Sequence, residues 1–201
     1  MNDSVDHIRD RIIEAALPLV VFDGWRWEVI EQAATGAGYA PDMARAVFPS
    51  RLMDVMAGLS AMADRAMLTA LAPLDPEQMR VRDRVRAALM ARYEFLQPHK
   101  EAMREALSYM AHPLRKLRAA KMVWATADHI WDWAGDTASD YNRYTKRGLL
   151  SGIIVSSTLV WLNDDTADMA VLGAFIDRRI ENVMQIGKMM GRFKRKGAGN
   201  A

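Results

Sequence analysis

The 201-residue chain has no cysteine, which excludes disulfide bonds, thiolate catalysis and cysteine-ligated metal sites. It also has no apolar run long enough to span a membrane. Its longest, from Leu149 to Leu162, has 14 residues with serine, threonine and glycine among them, whereas a membrane span needs about 20 apolar residues. The net charge of +2 is too small to require a polyanionic partner. Because the first residues are polar and acidic, unlike a leader peptide, we expect a cytoplasmic protein.

Catalytic motifs are equally scarce. The four histidines are scattered, and none has the spacing that places two metal ligands on one helical face. There is no phosphate-binding glycine loop and no nucleophile elbow. Asp128, His129 and Asp132 form the best polar cluster, which fits a proton relay or a weak metal site. A solvated edge of an amphipathic helix explains it better, so we predict neither catalysis, nor a metal, nor a cofactor.

Helical periodicity runs through almost the whole chain, and no strand pattern or internal repeat interrupts it. Ser4, Ser50 and Asp75 are predicted helix caps, and Gly24 is a predicted helix end. Later helices are expected to open at Pro98 and Pro113, to run from Asp136 to about Leu162, and to run from Thr166 towards Gly191. The sequence predicts an all-α fold with a head over 1–50, a helical bundle over 51–191 and a basic tail over 192–201.

The head has the spacing of a helix-turn-helix unit and resembles the DNA-binding head of TetR-type regulators. Ile12-Ile13-Glu14-Ala15-Ala16 leads into Phe22-Asp23-Gly24-Trp25, and Val47-Phe48-Pro49-Ser50-Arg51 closes the unit. Its charge does not suit DNA, because residues 1–60 hold five Lys/Arg against nine Asp/Glu, a net charge of −4. DNA binding needs cations against phosphate. We therefore predict a scaffold that binds no nucleic acid, and keep a ligand-responsive transcriptional regulator as the alternative.

The part of the chain after the head is rich in large apolar side chains, which suit a ligand space between helices. The chain contains 15 methionines and six tryptophans, and methionine adapts to irregular or lipid-filled spaces. Apolar stripes at helical spacing also suit a plain core, which composition alone favours. If a pocket exists, its predicted lipid-binding residues are Met122, Trp131, Leu149, Leu150, Ile153, Ile154 and Trp161.

The segment around Gly135 carries the most specific motif. It resembles the signature Gly-Asp-x-x-x-Asp-x-Asn-x-Tyr-Thr-Lys/Arg-Arg of the Coq-nine family, a group of lipid-binding helpers in ubiquinone biosynthesis. The matching positions are Asp136, Asp140, Asn142, Tyr144, Thr145, Lys146 and Arg147. Ala-Leu-Pro-x-Val-x-Phe-x-Gly-Trp around Pro18 is similar to a stretch of the same family, which ordinary TetR heads lack.

The resemblance implies a function that the residues alone do not. Proteins of that family adopt a TetR-like helical fold, dimerise and bind an isoprenoid lipid such as a quinone precursor. They lie on a membrane surface, here implied to be the inner membrane, and present substrate to the di-iron hydroxylase that acts late in the pathway. Carried over to this chain, the resemblance implies partner contacts at Tyr144, Lys146 and Arg147. Tyr144 and Arg147, three residues apart, are expected to share a helical face.

Two departures from the family are visible. Arg143 stands where many eukaryotic members have a tryptophan. The long C-terminal membrane helix of those members is replaced by a short tail with five cations and no acid after Gly187. Phe193, Lys194, Arg195 and Lys196 in that tail are predicted to contact an anionic membrane surface, each cation contributing about 1 kcal/mol. A solvated tail fits the same residues about equally well.

Overall fold

The computed structural model describes residues 4–137, 141–166 and 168–197, apart from the side chains of Tyr141 and of residues 186–197. The described residues form α-helices and short 3₁₀ turns, without a strand, so the predicted all-α class is confirmed. The helices are α1 Val5–Asp23, α2 Trp27–Gly36, α3 Pro41–Val47, α4 Leu52–Leu71, α5 Val81–Leu96, α6 Lys100–Met110, α7 Lys116–Trp133, α8 Tyr141–Leu162 and α9 Ala170–Gly197.

Two predicted helix ends of the head are confirmed. The hydroxyl of Ser4 accepts a hydrogen bond from the backbone N–H of His7 at 3.2 Å and caps α1. Gly24 follows the last turn with φ +70°, a backbone conformation that side chains rarely adopt. Between them α1 continues through Pro18, so this proline is accommodated within the helix.

The predicted starts at Ser50, Asp75, Asp136 and Thr166 are wrong, and the α-helix expected from Asp136 begins only at Tyr141. Ser50 does not cap α4. Arg51 precedes that helix at φ +54°, and the carboxylate of Asp54 accepts the N–H of Ser50 at 2.6 Å. Asp75 caps only the 3₁₀ turn Pro76–Gln78, and α5 begins later. Thr166 does not start α9, since both its N–H and its hydroxyl donate to the carboxylate of Asp164.

The first compact unit comprises Met1–Ala72 and Ala91–Thr126. In its core α1 packs against α2, α3, α4 and α6. The indole N–H of Trp25 donates to the carbonyl of Ala102 at 3.0 Å, which ties the first turn to α6. Apolar residues from all five helices are buried together. Burial of this kind stabilises a fold by about 25 cal/mol per Å² of apolar surface.

The same unit contains a buried ion pair. The guanidinium of Arg92 on α5 donates to the carboxylate of Asp64 on α4 at 2.8 Å and to the hydroxyl of Ser60 at 3.1 Å. The hydroxyl of Thr126 on α7 donates to the same carboxylate at 3.0 Å. Three helices of this unit are therefore joined by one polar cluster, which we call the Asp64 cluster.

The second compact unit comprises Pro73–Met90 and Ala127–Ala201. Within it α8 packs along α9, and Leu150, Trp161, Leu172 and Ile176 are buried on these two helices. The buried carboxylate of Asp164 accepts the N–H of Leu172 at 2.9 Å and so fixes the first turn of α9. These units follow other boundaries than the predicted domains at 1–50, 51–191 and 192–201, which stay a prediction.

Candidate functional site

The candidate site is built around the turn between α7 and α8. Gly135 has φ +76°, and a Cβ atom at this position would lie 3.6 Å from the guanidinium of Arg84. Arg84 donates to the carbonyl of Ala134 at 2.6 Å and to that of Met79 at 2.9 Å. Arg84, in the first half of α5, thus fixes the backbone of the turn through these hydrogen bonds. A glycine is needed here because the backbone turns through a conformation that disfavours side chains.

The guanidinium of Arg147 is the centre of the site. Its Nε donates to Asp128, its Nη2 donates to Asp132 at 3.0 Å, and its Nη1 donates to Asp136 at 3.1 Å. The side chain of Arg147 is only 1% exposed, although it carries a full charge. We call this group of one arginine and three carboxylates the Arg147 cluster. It joins α8 to the last two turns of α7 and to the residue after Gly135.

The charges of the cluster shift the proton equilibria of two members. A hydrogen bond from Arg147 holds the pKa of Asp128 below its ordinary value, although burial acts in the opposite direction. Burial alone would lower the pKa of Arg147, but the hydrogen bonds that Arg147 donates to Asp128 and Asp136 outweigh it and raise that pKa. Both shifts favour the charged forms of Asp128 and Arg147.

Two further cations complete the charge balance at the edge of the cluster. Arg143 donates to Asp128 at 3.1 Å, and Lys146 donates to Asp136 at 2.6 Å. The ammonium of Lys146 also lies 5.4 Å from the ring centre of Trp131, a cation–π distance. Arg143, the departure from the family signature, therefore takes an ionic role in this chain.

The Arg147 cluster corrects one prediction about the partner surface. Tyr144 is 62% exposed, whereas Arg147 is almost fully buried, so these residues do not share an exposed face. Direct contact of Arg147 with another protein is incompatible with this arrangement. Tyr144 and the half-buried Lys146 stay predicted partner contacts. Asp140 of the signature lies outside the described residues.

A metal or proton-relay site at Asp128, His129 and Asp132 does not fit the structure, because Arg147 binds two of these three side chains. Both carboxylates already bind this guanidinium, and His129 is exposed on another side of α7. Among the residues that the structure describes, no group of three metal-ligating side chains occurs. The arrangement suits a structural role, because a cation already fills the space between the carboxylates.

The predicted lipid-binding residues fall in different surroundings. Met122 is half-buried against the core of the first unit. The others belong to the second unit. There Leu150, Ile153, Ile154 and Trp161 are buried, while Leu149 and Trp131 are partly exposed. The indole nitrogen of Trp131 is buried without a hydrogen-bond partner among the described residues. Their role in lipid binding stays a prediction.

Two surface grooves in the structure involve none of these residues. One, of about 570 Å³, lies in the second unit between Arg82 and the Phe175–Asn182 stretch of α9. The other, of about 470 Å³, lies in the first unit between α1 and the Gln97–His99 turn. In the second groove burial lowers the pKa of His99, and nearby Glu14 opposes that shift. Neither groove is therefore evidence for the predicted lipid site.

Contacts in the head weaken its suitability for DNA further. Arg45, the cation of α3, binds the carboxylate of Glu31 at 2.8 Å. Hydrogen bonds from Arg45 and Trp27 lower the pKa of Glu31, which keeps it charged. Arg51 lies over the ring of Trp27 at 5.4 Å. Arg45 and Arg51 are thus already engaged within the protein, at the expense of phosphate contacts.

Two findings concern membranes. No helix within the described part of the chain has the length and apolar character needed to cross a bilayer. The side chains of Phe193, Lys194, Arg195 and Lys196, predicted to contact a membrane, lie outside the described residues, so their role stays a prediction.

The fold defines the class of the protein first. The structure matches the crystal structure of a TetR transcriptional regulator from Nitrosomonas europaea with a TM-score of 0.68, at 17% sequence identity. The match covers 86% of this chain and 95% of the regulator. At this identity the similarity establishes the fold alone, and it confirms the predicted TetR-like architecture.

The sequence is similar to one family of proteins. The model of the COQ9 family matches residues 117–187, which include the Arg147 cluster. The chain is 28% identical to the mitochondrial ubiquinone biosynthesis protein COQ9 of Rattus norvegicus and 25% identical to that of Homo sapiens. Each alignment covers 97% of this chain. The chain spans 64% of the rat protein and 63% of the human protein. The resemblance to this family, predicted from the signature, is confirmed.

The spacing of charged residues in the sequence indicates the Arg147 cluster. Asp128, Asp132 and Asp136 recur every four residues, and so do Arg143 and Arg147. Two such stripes on consecutive helices with opposite charge predict an interhelical ion-pair network. The buried pair between Asp64 and Arg92 has no comparable pattern, since neither residue has a charged residue three or four positions away in the sequence.

Proposed function

We propose that this protein is a non-catalytic, isoprenoid-lipid-binding accessory protein of ubiquinone biosynthesis that presents quinone intermediates to a membrane-associated di-iron hydroxylase. The observation that carries the proposal is the similarity to proteins named ubiquinone biosynthesis protein COQ9, over 97% of this chain. The Arg147 cluster supports the non-catalytic part, because its three carboxylates bind a guanidinium and are not free to act as a general acid or base.

The lipid part of the proposal is supported by α8. Leu150, Ile154 and Trp161 are buried on one side of this helix, while Val155 and Leu159 are half-exposed on another. A helix that is apolar on more than one side needs a second apolar neighbour besides its own core. In this proposal a second copy of the chain is the neighbour of the exposed side, and the isoprenoid tail lies along the buried side.

Mass spectrometry of lipids extracted from the purified protein tests this part. We expect a prenylated quinone or precursor in the wild type. Ile154→Trp, which adds volume on the predicted lipid side, should reduce lipid occupancy with little loss of stability. The control Ile176→Trp, at a buried position of α9 outside the predicted site, should lower stability by about 1–3 kcal/mol through overpacking. Absence of lipid, together with failure to take up added quinone, would count against lipid binding.

The partner part of the proposal concerns Tyr144. A large, exposed aromatic side chain with a polar tip is a common hot spot of protein interfaces. Tyr144→Ala should weaken association with the hydroxylase and cause the demethoxy intermediate to accumulate in cells. Asn163→Ala, an exposed change just beyond the other end of α8, serves as the control. Equal association of both variants with the hydroxylase would remove Tyr144 from the interface.

In this proposal the protein acts as a homodimer on the surface of the inner membrane. Half-exposed Val155 and Leu159 on α8, with Val171 on α9, offer an apolar surface for a second copy. Val155→Asp with Leu159→Asp should produce a monomer, which light scattering after size exclusion would detect. Deleting residues 192–201 should reduce binding to anionic vesicles but not to neutral ones.

A transcriptional regulator is the second candidate, favoured by the TetR-like fold and the helix-turn-helix spacing of the head. Gel-shift assays at low salt with genomic fragments should show no sequence preference, because the head is acidic. A single sharply preferred operator would establish the regulator instead.

A further inference from the structure

A surface of unusual composition lies where α7 begins. The backbone makes the 3₁₀ turn Pro113–Arg115 and then enters α7. Leu114 is 88% exposed and Leu117 is 71% exposed, on this turn and the first turn of the helix. Exposed leucines at neighbouring positions are unfavourable in water, since burying one is worth about 1.5–3 kcal/mol. We call residues 112–121 the leucine–lysine turn.

The charge around these leucines has one sign. Residues 106–127 contain four Lys/Arg and no Asp or Glu. Lys116, Arg118 and Lys121 are exposed, and none forms an ion pair with a carboxylate in the part of the chain that the structure describes. This sets the turn apart from the Arg147 cluster, where the cations are paired.

The turn is held in its conformation by contacts within the first unit. Arg115 donates to the carbonyl of Tyr109 at 2.7 Å, and its guanidinium carbon lies 3.6 Å from the centre of that ring. The ring nitrogen of His112 accepts the N–H of Leu114 at 3.3 Å. On the inner side of α7, Ala119 and Met122 pack against the core. The outward direction of the leucines is therefore fixed before any partner binds.

We propose that the leucine–lysine turn is a membrane contact that binds the surface of a bilayer containing anionic lipid. The two leucines enter the boundary between head groups and acyl chains, and Lys116, Arg118 and Lys121 meet the lipid phosphates. Apolar residues flanked by cations are typical of segments that lie in a membrane surface. Nucleic acid offers phosphate but no apolar layer for the leucines, so lipid suits the surface better.

This contact is distinct from the basic tail at 192–201 and belongs to another compact unit. Its biological reason rests on the proposed function, since an isoprenoid substrate resides in a membrane. The exposed leucines and the unpaired cations are its physical basis.

Sedimentation of the full chain with vesicles tests the contact. Vesicles of phosphatidylcholine are compared with vesicles of phosphatidylcholine mixed with phosphatidylglycerol. The wild type should bind the anionic vesicles, and Leu114→Glu with Leu117→Glu should bind them about tenfold more weakly. The matched control is Val5→Glu with Phe22→Glu, which adds the same charge at exposed positions of α1 in the same unit and should change binding less than about twofold. Circular dichroism should show both variants folded.

Two further measurements separate the outcomes. Lys116→Gln with Lys121→Gln should weaken binding to anionic vesicles only. Lipid extracted from the leucine variant should match that of the wild type, since the predicted isoprenoid site lies elsewhere.

Equal loss in the leucine variant and its control, full binding by the leucine variant, or no binding by the wild type would each overturn the contact. So would competition by duplex DNA that is equally strong for wild type and leucine variant. Retained lipid with no vesicle binding would reject this contact alone, and missing lipid would reject the proposed function.

Discussion

The two units of this protein each bury an arginine, and they neutralise it in different ways. In the first unit Arg92 meets the single buried carboxylate of Asp64, with hydroxyl groups from Ser60 and Thr126 filling the remaining positions. In the second unit Arg147 meets three carboxylates, two of which reach the surface. The Asp64 cluster is a closed pair, whereas the Arg147 cluster is a network that begins in the interior and ends in water.

This difference has an energetic consequence. Removing both charges from water is expensive, and a closed pair recovers that cost only through its own attraction and hydrogen bonds. In the network Asp128, Asp132, Arg143 and Lys146 keep contact with water, so fewer groups carry the full desolvation cost. A closed pair is therefore replaceable by apolar residues, whereas replacing Arg147 in the network leaves the buried carboxylate of Asp136 without its guanidinium.

The largest effect is expected from Arg147→Leu. The change leaves Asp136, which is only 4% exposed, without its guanidinium, and we expect a loss of about 3–5 kcal/mol in the free energy of unfolding. Urea denaturation measures it, with hydrogen exchange assigning the loss to the second unit. Arg147→Lys keeps the charge but reaches fewer carboxylates, and should lose less. A loss under about 1 kcal/mol for Arg147→Leu would mean that the network contributes little.

The closed pair should behave differently when both partners change. Asp64→Leu alone leaves Arg92 buried without a carboxylate and should cost about 3 kcal/mol. The double change Asp64→Leu with Arg92→Leu should recover most of that loss, because the apolar pair no longer carries a desolvation cost. Denaturation of both variants in urea gives the coupling energy. If the double variant is no more stable than the single one, the proposed contrast between pair and network is wrong.

The network should also respond to acid. The pKa of Asp128 is lower in the folded protein than in the unfolded chain, so its stabilisation is present above its unfolded pKa, which is about 3.9. That stabilisation is lost as the pH falls through the folded value. Asp128→Asn should therefore destabilise at neutral pH, and the gap to the wild type should narrow as the pH falls below about 4. Thermal melts across this range measure the gap, and a constant gap would contradict the assignment.

The smallest effect is expected at Asp132, whose side chain is 60% exposed. Asp132→Asn removes an ion pair with solvent on one side and should cost less than about 1 kcal/mol. The same urea series measures it. A cost as large as that of Arg147→Leu would show that the carboxylates act as one unit and that exposure does not rank them.

The sequence predicted the helices from apolar spacing, but several ends depended on side chains it did not rank. Ser50 and Asp54 both suit a helix start, and the structure uses the acid because its carboxylate reaches back to the N–H of Ser50. Of the site, the Gly135 turn and the signature residues were predictable. The burial of Arg147 was not, because it depends on two helices placing their charges opposite each other. The sequence interpretation treated Arg147 as a surface residue for that reason.

The order of the segments in the first unit also affects how this chain is made. Its core is completed by Ala102, Ala106 and Met110 on α6, while the first segment of the unit ends at Ala72. At about 5–20 residues per second, a ribosome adds the intervening residues in roughly 2 to 8 s. During that interval the apolar faces of α1 and α4 lack their final cover. Nascent chains stalled before α6 should therefore bind chaperones that recognise exposed apolar segments, and chains stalled after Thr126 should release them.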